Sequence, residues 1–167
     1  MKQVFFLFAL SFCQLIGAQQ VCSNDIEKYK AAYNYVAADS VLHEKKLYVS
    51  PLIVDLGRVV FSEYLKEYPD LKEIVDSLIK YTGFDIFEST IIKDLFSELN
   101  PFSESTLYFS SIEKNTLMAD LFIKKKASIT LEYDWLAANG EKAFLYLFFF
   151  DDEGNIKNVF RQEMIYN

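Results

Sequence analysis

The sequence predicts a small α+β domain behind an export signal. Three features carry that expectation: an apolar N-terminal run, apolar residues spaced at three and four up to about Asn100, and a change of period to two after Pro101. Helices followed by strands make two layers, so the expected architecture is N-terminal helices packed on one face of a C-terminal antiparallel sheet of four to five strands, connected as a meander.

Residues 1–18 read as a signal peptide. Lys2 supplies positive charge, Val4 to Gly17 is apolar apart from Ser11 and Gln14, and Ala18 is a small residue suited to cleavage. The run is shorter than the roughly 20 residues that cross a bilayer, so the mature chain is not expected to span a membrane. Residues 19–167 then form a single domain in the periplasm or outside the cell. Arg occurs only at Arg58 and Arg161 against abundant Lys, and no Asn-x-Ser/Thr sequon is present, which leans the source towards bacteria. Cys13 falls within the signal, leaving Cys22 alone with no internal disulfide to form.

The helical half contains three stripes. Ile26, Tyr29, Tyr33 and Val36 make the first, with Asn24 and Glu27 spaced as a capping box. Leu71, Ile74, Val75, Leu78 and Ile79 follow Asp70 and lead to Gly83, a residue suited to a left-handed helix end. Ile91, Ile92, Leu95, Phe96 and Leu99 stop at Asn100-Pro101. Between the first two stripes, Ser50-Pro51 fits either a helix start or an edge strand over Lys46–Val54. The expectation adopted is a short strand at Leu47–Val49 and a helix from about Gly57 to Lys66.

Strands are expected at Thr106–Ile112, Leu117–Ile123, Ala143–Phe150 and Ile156–Tyr166, with turns at Glu113-Lys114-Asn115 and at Asp151 to Asn155. Ala127–Ala138 fits a further strand or a short helix.

Composition restricts function. A chain of 167 residues that is 51% hydrophobic can bury one core, and its 16 Phe and 11 Tyr require a core, a pocket or an interface. A net charge of -7 disfavours nucleic acid as a partner. His43 is the single histidine, no Gly-x-Ser-x-Gly accompanies it, and no metal-ligand spacing occurs, so neither a cofactor nor a metal is implied. The acidic run Asp151 to Asn155 lacks the alternating oxygens of a calcium loop and reads as a hairpin turn. Lys124-Lys125-Lys126 reads as a soluble loop or strand end.

Ala143–Phe150 is the most informative segment because it does not alternate. Phe144, Tyr146, Phe148 and Phe150 point one way while Leu145, Leu147 and Phe149 point the other, so both faces need cover. Leaving one such ring in water forfeits about 1.5–3 kcal/mol. Core packing, a protein partner or second copy, and a small apolar ligand each meet the demand, which makes Phe144, Tyr146, Phe148 and Phe150 the candidate ligand-binding or interface residues. The leading expectation is an exported non-enzymatic binding or protein-interaction domain. The competing one is a small carboxylate-based envelope hydrolase, which needs two acids facing one cleft.

Overall fold

The computed structural model describes residues 24–54, 57–78, 86–129 and 142–165 together with Tyr133. Among the described residues, six strands form one sheet: β1 (Leu47–Val54), β2 (Ile86–Glu88), β3 (Phe102–Phe109), β4 (Thr116–Ile129), β5 (Lys142–Phe150) and β6 (Ile156–Ile165), in the order β2-β1-β3-β4-β5-β6. All neighbours are antiparallel except β1 and β3. The helices are α1 (24–37), α2 (Pro69–Leu78) and α3 (Thr90–Leu95). Among the described residues no helix is long and apolar enough to cross a membrane.

The mixed helix and sheet composition agrees with expectation, and β3 to β6 form the meander. The strand number does not, because β1 and β2 add to it. β1 extends through Pro51 to Val54 and lies inside the sheet, between β2 and β3. Proline has no amide to give, and the β1–β3 register shifts between Val49 and Ile53, where Pro51 sits. The Pro51 carbonyl is used on the other side, accepting from the Ser89 amide at 2.8 Å.

The expected helix from Gly57 to Lys66 is instead two 3-10 turns, Arg58–Phe61 and Tyr64–Glu67. They place Phe61 and Leu65, four residues apart, into the core. α3 ends at Leu95 rather than Leu99. Ser89 caps its start by accepting from the Ile92 amide at 3.3 Å. α2 is described to Leu78, so Ile79 and Gly83 lie outside the described residues, as does most of Ala127–Ala138. Asn24 does not act as expected: residue 24 is already helical, and its side-chain amide donates to the Asp152 carbonyl at 3.0 Å.

β3 begins at Phe102, four residues before the expected Thr106, because two serines hide the alternation. Ser103 and Ser105 are buried with their hydroxyls satisfied by the carbonyls of Ser105 and Lys46, each at 2.8 Å. The lysine run is not a loop but part of β4, with Lys124 buried.

Both hairpin turns form. Lys114 and Asn115 take φ of 47° and 55°, the two left-handed residues of a tight β3–β4 turn closed by reciprocal Glu113 and Thr116 backbone bonds of 3.0 and 2.8 Å. In the β5–β6 turn Gly154 has φ 89°, and a Cβ there would stand 2.7 Å from the Asn24 side-chain oxygen. Glycine is required twice over at that position.

The expectation that the helices share one face is corrected by the core. Tyr29, Ala32 and Val36 of α1 and Ile92 of α3 join one apolar cluster with the β5 residues Phe144, Tyr146, Phe148 and Phe150. Phe61 and Leu65 of the 3-10 turns and Val75 of α2 join a second cluster with Leu145, Leu147 and Phe149. Helical segments therefore supply apolar cover to both faces of β5, which is why that strand can be apolar on both sides.

Candidate functional site

Phe144, Tyr146, Phe148 and Phe150 stand in a row on the α1 side of β5. Tyr146 stacks on Phe148 and Phe148 on Phe150, with centroids 6.1 and 6.2 Å apart. All four are buried, and Tyr35 of α1 sets its ring edge on Phe148 at 5.6 Å. The chain's own helix thus occupies the position that a ligand or partner would take.

The row ends in a polar brace. The Tyr146 hydroxyl donates to the Asp39 carboxylate at 2.9 Å, and Arg161 of β6 contacts the same carboxylate at 3.2 Å. Asp39 also accepts from the Val41 amide at 3.0 Å, capping the short turn Ser40–Leu42. Burial raises the Tyr146 phenol well above its ordinary range, Asp39 raises it further, and the Arg161 charge opposes both. The Arg161 guanidinium lies 4.6 Å from the Phe144 ring centroid, and the Lys142 ammonium lies 5.1 Å from it. This arrangement binds the α1 exit to β5 and β6.

On the other face, Asp120 is fully buried in β4 and accepts from the Tyr133 hydroxyl at 2.8 Å. Tyr133 sits edge-on to Tyr108 and Phe122. Sequence reasoning missed this group. Its signal is an acid between Met118 and Phe122 on the same side of a strand, where alternation demands an apolar residue. Asp39 and Asp120 belong to opposite faces of the sheet and do not form a facing pair of acids. Among the described residues no cluster of three metal-capable side chains occurs.

Among the described residues, two surface clefts stand out. One, of about 360 Å³, lies where the start of α1 meets the hairpin turns and is lined by Asn24, Asp25, Lys28, Ile112, Lys114 and Asn115. Several of its polar groups are paired with one another: buried Lys28 donates to Asn115 at 2.7 Å, and Asn115 donates to Asp152 at 3.2 Å. The second, of about 300 Å³, lies between α3 and β1, with apolar walls from Val49, Pro51, Ile92, Phe96, Leu99 and Pro101. Tyr48, Lys93 and Ser97 also line it. Lys93 pairs with Glu88 at 2.6 Å, and that bond holds its ammonium above the usual lysine range. Burial raises the Tyr48 phenol.

Large apolar side chains remain exposed near this second cleft in the chain. Phe87 precedes α3 and Phe102 follows Pro101, and they are 50% and 53% exposed. His43 is exposed at the end of the turn Ser40–Leu42. No family model, curated protein or solved structure gives a match to this chain.

Proposed function

We propose that this chain is an exported, non-enzymatic binding domain whose contact surface is the cleft between α3 and β1. The observation that carries the reading is a cleft of about 300 Å³ with apolar walls, in a domain whose central aromatic row is already covered. That volume lies at the lower end of the range for small-molecule sites. Its apolar walls with a few polar groups at one side suit a small apolar ligand or one inserted side chain of a protein partner. Exposed Phe87 and Phe102 lie close in the chain to residues that line it. The apolar run from Val4 to Gly17 with Ala18 behind it supports export, and the charge of -7 argues against nucleic acid. The rings of Phe144, Tyr146, Phe148 and Phe150 enter this reading as the framework beneath α1.

An environment-sensitive apolar dye tests it. The protein is expected to bind the dye at one saturable site and to show a matching adduct by native mass spectrometry. Ser97 is exposed and lines the cleft, so Ser97→Trp fills the space without entering the core and should weaken binding at least tenfold, about 1.4 kcal/mol. Absence of dye binding to the unaltered protein, or equal binding by the variant, contradicts the reading.

A further inference from the structure

The sheet ends on β2 at one side and β6 at the other, and β6 is ten residues long with a strand neighbour only at β5 among the described residues. A long open edge is a template for pairing with another chain. Charged side chains usually guard such an edge, and β6 carries Lys157, Arg161 and Glu163, all exposed. Their order does more than repel.

We infer that β6 is the interface between two copies of this chain, paired antiparallel about a two-fold axis through Phe160. An axis perpendicular to the sheet keeps each face of one copy continuous with the same face of the other, so directly opposed residues share a face. In that register Lys157 lies opposite Glu163 of the second copy, and Glu163 opposite its Lys157. Asn158 meets Gln162 and Phe160 meets its own counterpart; Ile156 lies beyond the irregularity in the β5–β6 pairing next to Lys157, packs on the opposite face from Met164, and takes no part in the pairing. Opposite charges directly across a strand pair stabilise it, and like charges destabilise it. Moving the axis one residue towards the N-terminus, to Val159, sets Lys157 against Arg161. Moving it one residue the other way, to Arg161, sets that arginine against itself. The same charges that deter indiscriminate pairing therefore favour this register over its neighbours.

Three structural features fit the register. Arg161 is already held by Asp39 at 3.2 Å and needs no partner across the axis. Tyr68, 44% exposed, sets its ring edge on Phe160 at 5.3 Å, so it stands beside the axis where the second copy would cover it. Glu163 also contacts Lys142 at 2.9 Å, both largely exposed, a pair that leaves the carboxylate open to a second cation.

The inference names a partner for the interaction domain proposed above but uses a surface separate from the α3 cleft. Its test is size-exclusion chromatography with light scattering on the exported chain over a range of concentrations, with circular dichroism to show that each variant is folded. The unaltered protein is expected to dimerise. Lys157→Glu opposes two acids across the axis at both ends of the pairing and should weaken dimerisation at least tenfold. The double variant Lys157→Glu/Glu163→Lys restores opposite charges in reverse and should return the dimer to within a few fold of the original. A strict monomer at every concentration, a Lys157→Glu protein that dimerises like the original, or a double variant as monomeric as the single one overturns the inference. Dye binding at the α3 cleft, measured on the same samples and expected to be unchanged, separates failure here from failure of the cleft reading.

Discussion

Truncating Phe148 to alanine is expected to destabilise the domain by about 3–5 kcal/mol, and truncating its neighbour Leu147 by about 2–5 kcal/mol. The two side chains leave β5 in opposite directions, and both are fully buried. Phe148 loses its contacts with Tyr146, Phe150 and Tyr35, and Leu147 loses its place in the cluster formed with Phe61, Leu65 and Val75. Interiors relax only partly around such a deletion, so each cost includes a cavity as well as lost transfer energy. In a sheet covered on one face only, one of the two substitutions would behave as a surface change, within about 0.5 kcal/mol. Urea unfolding of both variants separates these cases, provided the slope is the same for each.

Raising the pH is expected to unfold the protein cooperatively in the strongly alkaline range. Burial raises the phenols of Tyr29, Tyr108 and Tyr146 above their ordinary value, with nearby Asp25 adding to the effect at Tyr29 and Asp39 at Tyr146. The folded chain keeps these protons, whereas the unfolded chain releases them above about pH 10. Their contribution is therefore fully present below about pH 10 and is lost as pH climbs towards the folded values. Each pH unit beyond that point removes about 1.4 kcal/mol per tyrosine, or roughly 4 kcal/mol for the three together. A typical domain stability of about 5–15 kcal/mol does not survive many such units. Phenolate absorbance should therefore rise in two stages, exposed tyrosines first and the buried ones only with the loss of circular dichroism. A single stage near pH 10 with the fold intact would contradict the burial of these rings.

Much of the sheet was legible because its signals are local. The strand Ala143–Phe150 announces itself by unbroken apolar character, and the turn around Gly154 by a glycine among short polar residues. The need to cover both faces of β5 followed from period two alone. What supplies the cover was not legible, because it depends on which way the chain crosses the sheet. Phe61 and Leu65 carry the spacing of a helix, yet the chain takes 3-10 turns there, since placing those two side chains on the sheet matters more than a continuous ladder of backbone bonds. β1 reads as shorter than it is because Ser50-Pro51 fits a helix start as well as an edge strand, whereas the missing amide of Pro51 falls at an irregular point of the β1–β3 pairing. β3 began early under two serines whose hydroxyls find carbonyls, a satisfaction that depends on distant Lys46 and cannot be read locally. The four ring residues singled out on β5 stand in one row, and their cover is the chain's own α1. The cleft between α3 and β1 has no sequence signature, because Tyr48, Phe96 and Pro101 meet only through the crossover that lays β1 parallel to β3.

One chain covers both faces of β5 by itself. Amide hydrogen exchange on the protein, diluted until it is monomeric, tests that most directly. The amides of Leu145 to Phe149 are expected to exchange only through global unfolding, at a rate unchanged by protein concentration. Fast exchange of these amides in the monomer, slowing only as copies associate, would show that the cover comes from elsewhere.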